Sequence, residues 1–367
     1  MKTATITFHA SHNYGSNLQA YALQQTIIGL GHTNEILNLR TNRQKDLYTV
    51  FTKRRGGGGK YIIKNLSHLM YYFPLKRAYD RFENFIKANL VVTKEYASEE
   101  DLAKAGLHYD TYIAGSDQIW NPMPADFDWS YYLTFVKEGR MVSYAPSFGQ
   151  LASQGDDETK QRIASALRQF DAISVREQGA ADNVKLLTGK TPRIVLDPTL
   201  LLKKEDWLGL VKEKERIEKG DYIFFYTLFA DPNRMNIIKR VAKATGLPVV
   251  TSNFSNQYDV FNPFKKHYDA GPLEFLTLVR DAKLVVTSSF HGTAFSLLLN
   301  VPFFAIDGMT DARISTLLKM AGLESREMTS ASVEKQCESA FSVDFTEANR
   351  RINEARESSL GFLNENL

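Results

Sequence analysis

The sequence has a single cysteine and no long apolar run. Cys337 alone can form neither an intramolecular disulfide bond nor a thiolate metal site. No apolar run reaches the roughly 20 residues that a membrane-spanning helix needs. Residues 1–15 also lack the apolar core and cleavage site of a secretory signal peptide. These absences predict a cytoplasmic protein.

Common nucleotide and metal motifs are missing too. The segment "HNYGSNLQA" matches neither the Walker A motif nor the dinucleotide-binding glycine pattern. His9 and His12 have loose metal-ligand spacing, but no acidic residue or cysteine lies near them in the sequence. We therefore expect no metal and no cofactor.

The charge is unevenly distributed along the chain. The formal net charge is only +3, yet residues 40–81 hold 11 basic and two acidic residues interleaved with aromatics. Such a stretch suits an anionic membrane surface or a solvated helical face, and the two interpretations stay open. No nucleic-acid-binding motif accompanies it, so nucleic acid is not expected. Four glycines at 56–59 predict a flexible loop, natural or engineered.

Apolar runs and helical patterns alternate along most of the chain. The first strand "TATITF", a polar loop, the helical pattern "LQAYALQQTIIGLG" and a second strand "NEILNL" open a doubly wound α/β unit. The alternation continues past residue 300. We predict an α/β protein with domains 1–197 and 198–345, followed by a helix at 346–367 that could pack back on the first domain. The sequence sets no oligomeric state.

Polar residues follow several of these strands, at the edge of a parallel sheet where ligands bind. Asn13, Gly15 and Asn17 surround the start of the first helix, which predicts an anion site there or simple capping by Ser16 or Asn17. We expect the polar loops of the two domains to face a shared cleft.

The segment "AGSDQIWNP" places several polar side chains and a tryptophan after a strand. Asp117 and Gln118 could hydrogen-bond the hydroxyls of a sugar whose apolar face stacks on Trp120. Alternatively, Asp117 caps the next turn and Trp120 belongs to the core.

Two arginines, Arg176 and Arg313, follow predicted strands. A guanidinium suits bidentate contact with a carboxylate or phosphate. Ion pairing with a neighbouring acidic side chain is the alternative at both positions.

The segment "LVVTSSFHGTAFSLLL" places a histidine where a buried strand meets a buried helix. Ser288 or Ser289 can cap that helix, and the N–H groups of Gly292 and Thr293 lie where an anion would bind. His291 beside them can exchange a proton near neutral pH. This histidine is the strongest catalytic candidate in the sequence.

The order of these motifs resembles the polysaccharide pyruvyl transferase family over residues 3–325. The matching segments are "NYGSNLQAYAL", "GSDQIWN", "YAPSFG", "SVREQGA", "VLDPTLLL", "TSSFHGTAFSLLLNVPFF" and "ARISTLLKMAGL". The resemblance implies two Rossmann-like domains in a GT-B-like arrangement. It also implies transfer of a pyruvyl group from phosphoenolpyruvate to a sugar as a ketal, without a metal.

The resemblance implies roles for individual residues. His291 would be the general acid/base, and Arg176 would grip phosphoenolpyruvate on the donor side with Ser288, Ser289, Gly292, Thr293 and Arg313. Asn13, Gly15 and Asn17 would face the cleft, while Asp117, Gln118 and Trp120 would meet the acceptor sugar or brace their loop. Well-known members carry an arginine where this chain has Ser289, and Arg313, Arg280 or a lysine would have to replace its contact.

The acceptor implied by this resemblance is a cell-surface polysaccharide or its lipid-linked precursor. The basic stretch 40–81 would then hold the enzyme at the inner membrane face. Two alternatives are a nucleotide-sugar-dependent glycosyltransferase of the same fold and a glycan-binding relative without catalysis.

Overall fold

The computed structural model describes residues 1–51, 68–149, 156–254 and 257–367. The glycine run 56–59 and much of the basic stretch lie outside these residues. The chain divides into two compact units. The first comprises Met1–Tyr72, Phe82–Leu201 and Ala355–Leu367, and the second comprises Phe73–Arg81 and Leu202–Glu354.

The first unit is built on a seven-stranded sheet in which every neighbouring pair of strands is parallel. The strand order is β3-β2-β1-β4-β5-β6-β7. Strands such as β1 are buried over most of their length because helices cover both faces of a parallel sheet. The strands are β1 (Lys2–Ile6), β2 (Thr33–Leu39), β3 (Val92–Tyr96), β4 (Thr111–Asp117), β5 (Arg140–Pro146), β6 (Ala172–Val175) and β7 (Arg193–Ile194).

The helices that accompany this sheet follow the strands along the chain. They are α1 (Tyr14–Gly29), α2 (Asn42–Leu47), α3 (Tyr72–Asn89), α4 (Glu99–Lys104), α5 (Asp157–Leu167) and α6 (Gln178–Thr188), with 3₁₀ turns at Trp129–Tyr132 and Pro198–Leu200.

The second unit is built on a six-stranded parallel sheet of order β10-β9-β8-β11-β12-β13. Its strands are β8 (Ile223–Tyr226), β9 (Val249–Thr251), β10 (Lys265–Lys266), β11 (Leu284–Thr287), β12 (Phe303–Ile306) and β13 (Glu327–Met328). The remaining helices are α7 (Lys204–Leu210), α8 (Pro232–Thr245), α9 (Gln257–Val260), α10 (Pro272–Arg280), α11 (Phe290–Leu299), α12 (Ala312–Ala321), α13 (Val333–Cys337) and α14 (Thr346–Asn366), with 3₁₀ turns at Gly308–Thr310 and Glu324–Arg326.

The predicted α/β class is confirmed, since both sheets are parallel and both strand orders reverse direction as in Rossmann-like folds. The short strands β3, β10 and β13 were not predicted, because their residues (VTKEY, KK and EM) include charged side chains and form no apolar run. None of the helices in the described ranges is long and apolar enough to cross a bilayer.

Candidate functional site

Each unit has a topological switch point, where the strand order reverses and a crevice opens at the carboxyl edge of the sheet. In the first unit it lies between β1 and β4, and in the second it lies between β8 and β11. The side chains that follow these four strands are therefore the first candidates for a site.

Helix α1 begins beside the first switch point, at Tyr14. Asn13 is its N-cap, since its extended backbone lets its side chain accept from the Ser16 N–H. Sequence reasoning had assigned this capping to Ser16 or Asn17. Instead, Gly15 is buried in the first turn, and the Asn17 amide donates to the carbonyls of His9 (2.7 Å) and Ser11 (3.0 Å). Asn17 thus holds the β1–α1 loop.

Asp117 ends β4 and faces the start of α1. Its backbone has a φ of 71°, which a side-chain-bearing residue adopts only at some cost. Its Oδ2 accepts from Ser16 Oγ at 2.7 Å, and its Oδ1 accepts from the Gln118 N–H at 2.9 Å. The carboxylate is buried and links the end of β4 to the first turn of α1.

Gln118 and Trp120 brace the loop after β4. Gln118 Oε1 accepts from the Asn121 side chain at 3.0 Å. Trp120 is fully buried; its ring stacks on Tyr132, and its Nε1 donates to the Tyr131 carbonyl at 3.2 Å. A ring so enclosed has no face for a sugar, so the bracing role fits Trp120 and the stacking role does not.

Arg176 is buried among carboxylates. Its Nη1 donates to Asp197 Oδ2 at 2.7 Å, and its guanidinium lies 3.5 Å from Glu177 and 3.7 Å from Asp117. Burial alone lowers the pKa of the Arg176 guanidinium, but the charges of Asp197, Glu177 and Asp117 outweigh this effect and raise the pKa.

This environment corrects the expected role of Arg176. One positive charge facing three carboxylates leaves no excess positive charge for phosphoenolpyruvate. The paired alternative holds instead, although Asp197 was not among the partners considered. Asp197 follows β7, and the sequence left it unassigned because its contact with Arg176 spans two strands.

A second cluster in the first unit was also missed. His12 Nε2 donates to Glu83 Oε1 at 3.0 Å, and Arg40 Nη1 donates to both Glu83 oxygens at 3.0 and 2.9 Å. The His12 ring stacks on Phe82, with 5.0 Å between ring centroids. Glu83 is 71 residues from His12, so only the tertiary structure supplies the acidic partner. No three His, Cys, Asp or Glu side chains of the described residues converge as a metal site.

In the second unit, helix α11 begins directly after the loop that ends β11. Ser289 is its N-cap, and the Ser289 Oγ accepts from the Gly292 N–H. The Thr293 N–H donates to the Ser289 carbonyl at 3.0 Å. Both N–H groups that were expected to hold an anion therefore have acceptors within the chain in this structure, and their role in anion binding stays a prediction.

Close packing fixes this loop to the sheet. A Cβ atom on Gly292 would lie 2.3 Å from Thr287 Oγ1, so only glycine fits. Ser288 does not cap α11; its Oγ lies 2.6 Å from Thr227 Oγ1, across the switch point. Thr227 directly follows β8 and was not predicted, although its place after a strand was a usable signal.

His291 is the second residue of α11 and lies beside this switch point. Its side chain is largely buried, at 7% exposure, and its ring stands edge-on to Phe290 with 5.2 Å between centroids. No Asp or Glu occurs between residues 284 and 299. The histidine therefore lies, largely buried, at the edge of the sheet where ligands bind in this fold.

The two arginines proposed to replace the missing arginine are engaged. Arg313 binds Asp311 through Nε (3.0 Å) and Nη2 (2.6 Å). Arg280 binds Asp281 through Nε (2.7 Å) and Nη2 (2.8 Å), and it ends α10 just before β11, at the opposite edge of the sheet. Arg313 is therefore ion-paired with a neighbouring acidic side chain, which was the alternative at this position. Arg280 lies at the amino edge of the sheet, opposite the edge where ligands bind.

Comparison with known proteins decides the family. The sequence profile of the polysaccharide pyruvyl transferase family matches residues 13–308, most of the chain. The chain belongs to the polysaccharide pyruvyl transferase family. That match confirms the resemblance and includes the start of α1, the switch point of the second unit and His291. A search of curated proteins found no match.

Solved structures similar to this family member share its fold at low identity. UDP-GlcNAc 2-epimerase from Neisseria meningitidis, bound to UDP-GlcNAc, has a TM-score of 0.54 at 9% identity and covers 100% of both chains. AviGT4, a glycosyltransferase of avilamycin A biosynthesis, has a TM-score of 0.53 at 9% identity, covering 100% of this chain and 96% of its own. UDP-GlcNAc 2-epimerase from Rickettsia bellii has a TM-score of 0.51 at 9% identity, covering 100% and 99%. These similarities confirm the GT-B-like fold class.

Proposed function

We propose that this chain transfers the pyruvyl group of phosphoenolpyruvate to a sugar, forming a ketal with two of its hydroxyls. The observation that carries the proposal is the position of His291. It lies at the switch point of the second unit, within the region that matches the family profile, two residues after the Ser289 that caps its helix.

The chemistry assigned to His291 is proton transfer. Protonation of the methylene carbon of phosphoenolpyruvate creates a cationic centre at the neighbouring carbon, which one sugar hydroxyl attacks. A second hydroxyl then displaces phosphate to close the ketal. One hydroxyl proton returns to His291 and replaces the proton that His291 gave to the methylene carbon. The other hydroxyl proton leaves with phosphate. A histidine suits both the donating and the accepting step near neutral pH.

The first unit suits the acceptor in this proposal. Its switch point holds the polar side chains of Asp117, Ser16 and Asn13, whose groups can hydrogen-bond sugar hydroxyls, while Asn17 holds the loop beside them. Arg176 and Asp197 contribute by holding Asp117 in place. The polysaccharide or lipid-linked oligosaccharide acceptor belongs to the same proposal.

The test is phosphate release from phosphoenolpyruvate in the presence of candidate acceptor glycans. We expect His291→Asn to lower turnover roughly 10²- to 10⁴-fold, the usual contribution of an acid/base group. His267→Gln is the matched control, because His267 is bound to Glu218 in the same unit. Both variants should keep the circular dichroism spectrum of the wild type.

Other outcomes would contradict the proposal. Unchanged turnover in His291→Asn removes His291 from catalysis. Thermal stabilisation by nucleoside diphosphates, with no effect of phosphoenolpyruvate, would favour a nucleotide-sugar glycosyltransferase. Glycan binding without turnover of any donor would favour a non-catalytic relative.

Contact with an anionic membrane through residues 40–81 is part of the same proposal. Several described basic residues there are already ion-paired, including Arg40 with Glu83, Lys45 with Glu95 and Arg81 with Asp269. Co-sedimentation with anionic liposomes at low and high salt tests the contact. Binding that is absent, or that does not weaken with salt, would contradict it.

A further inference from the structure

Several buried polar atoms in the second unit have no hydrogen-bond partner among the described residues. Three of them, Arg234 Nε, Ser252 Oγ and Asn253 Nδ2, follow neighbouring strands. Ser252 and Asn253 are 5% and 8% exposed. A buried donor without a partner is costly, so such groups indicate a ligand, an ion or an ordered water.

All three groups lie at one edge of one sheet. Ser252 and Asn253 directly follow β9, and Arg234 lies in the first turn of α8, which follows β8. β8 and β9 are parallel neighbours, paired from Ile223 with Val249 onward. Their carboxyl ends therefore lie side by side.

Hydrogen bonds connect Arg234 to the loop that carries His291. Arg234 Nη1 donates to the Phe229 carbonyl at 2.6 Å, and Thr227 Oγ1 donates to the same carbonyl at 3.1 Å. Because the Thr227 hydroxyl proton is engaged in the bond to Phe229, Thr227 Oγ1 accepts a hydrogen bond from Ser288 Oγ at 2.6 Å. Ser288 is three residues before His291, so the guanidinium is part of the same switch-point network.

The chemistry of the three groups points to an oxyanion. A guanidinium Nε and an amide Nδ2 can only donate, and a hydroxyl can donate as well. A set of donors that includes one cation suits a carboxylate or phosphate. We propose that Arg234, Ser252 and Asn253 form the subsite for an anionic group of the donor substrate. This rests on the proposed pyruvyl transfer and supplies the cation that Ser289 lacks.

The other arginines considered in this unit are less suited. Arg313 and Arg280 are each bound by a carboxylate through two nitrogens. Arg326 donates to the Phe303 and Ala340 carbonyls inside the core. Asp231 lies 3.2 Å from Nη1 of Arg234 but is not bonded to Nε, so Nε remains available for a ligand.

Anion binding by single variants tests the subsite, with inorganic phosphate and phosphoenolpyruvate as separate probes in calorimetry and thermal-shift assays. We expect Arg234→Ala and Asn253→Asp to weaken binding of at least one probe about tenfold or more, the loss of a charge-assisted hydrogen bond. Asn253→Asp keeps the side-chain volume, so it tests the donor without a cavity. Arg240→Ala is the matched control on the same helix, because Arg240 binds Glu334, and it should stay within about twofold.

Ser252→Ala separates a ligand contact from a structural role. Because the Ser252 hydroxyl has no partner among the described residues, its removal should leave the melting temperature unchanged or higher while anion binding weakens. A hydroxyl that merely supported the fold would lower the melting temperature instead.

Failure of the subsite and failure of the proposed reaction give different results. If Arg234→Ala and Asn253→Asp bind both probes as the wild type does, or if the wild type binds neither, the subsite is overturned. If binding depends on these residues but no acceptor supports phosphate release, the subsite stands and the reaction fails. If the reaction proceeds with an unchanged KM for phosphoenolpyruvate in both variants, the subsite alone is wrong.

Discussion

The two switch points are held together by different forces. In the first unit, the Arg176 guanidinium is buried against Asp197, Asp117 and Glu177. In the second unit, the loop at the switch point is fixed by hydroxyl contacts and by the close packing of Gly292 on Thr287. The same strand order thus carries a buried ionic network in one unit and a tightly packed loop held by hydroxyl contacts in the other.

The two units also differ in the kind of buried polar group that has no partner among the described residues. In the first unit, Asn17 Oδ1 and Gln19 Oε1 are buried acceptors without a partner among the described residues, and a water or a ligand hydroxyl could satisfy them. In the second unit, the groups at the carboxyl edge are donors, from Arg234, Ser252 and Asn253. The contrast fits a hydroxyl-bearing acceptor in the first unit and an anionic donor in the second.

The largest effect is expected from breaking the ionic network. Arg176→Ala leaves buried carboxylates without their cation and should lower the free energy of unfolding by about 3–5 kcal/mol. Urea denaturation at pH 7 measures it, and Arg193→Ala, which removes an exposed pair with Glu365, is the control. A stable Arg176→Ala protein with only a raised KM for phosphoenolpyruvate would restore the donor-binding role.

Packing at the second switch point is tested by Gly292→Ala. The added methyl group would overlap Thr287 Oγ1, and we expect a loss of about 1–3 kcal/mol in the free energy of unfolding. The double variant Gly292→Ala with Thr287→Ala should recover part of the loss, as thermal denaturation would show. If Gly292→Ala did not lower the free energy of unfolding, the loop could shift away from the sheet at no cost, and close packing would not fix it.

The ion pairs of the first unit predict an acid-sensitive stability. Burial alone raises the pKa of Glu83, but its hydrogen bond with His12 and the charge of Arg40 lower it below its ordinary value of 4.5. The unfolded chain then binds the proton more readily. The stabilisation is therefore complete above about pH 4.5 and is lost as the pH falls through the lower value of the folded protein.

Glu83→Gln should lower the free energy of unfolding by about 1–2 kcal/mol at pH 7 and by less at pH 4. Urea denaturation at both pH values measures the difference. An equal loss at the two pH values would show that the charge of Glu83 does not matter.

The smallest effect is expected from Arg313→Ala. The guanidinium is bound by Asp311 two residues away, so its loss should cost about 0.2–1 kcal/mol and leave phosphoenolpyruvate binding unchanged. Isothermal calorimetry beside Arg234→Ala gives the comparison. If phosphoenolpyruvate bound more weakly to Arg313→Ala than to Arg234→Ala, the anion subsite would lie after β12 and not after β8 and β9.

Sequence patterns were reliable for long periodic elements and for chain order. The helix pattern after Asn13 and the apolar run before Ser288 gave α1 and β11 within a few residues. The helix starts were less certain, because Asn13 and Ser16 are both good capping residues and only the backbone angles of Asn13 separate them.

The amino-acid sequence by itself determined the alternation of strands and helices, the family and the place of His291 after a buried strand. It could do so because apolar periodicity and capping act between residues close in the chain. The tertiary structure alone decided that Arg176 pairs with Asp197, that Glu83 meets His12 and that Arg234 reaches the network of Ser288. These contacts join separate strands, and a buried charge takes its partner from whichever side chains the fold brings within hydrogen-bonding distance.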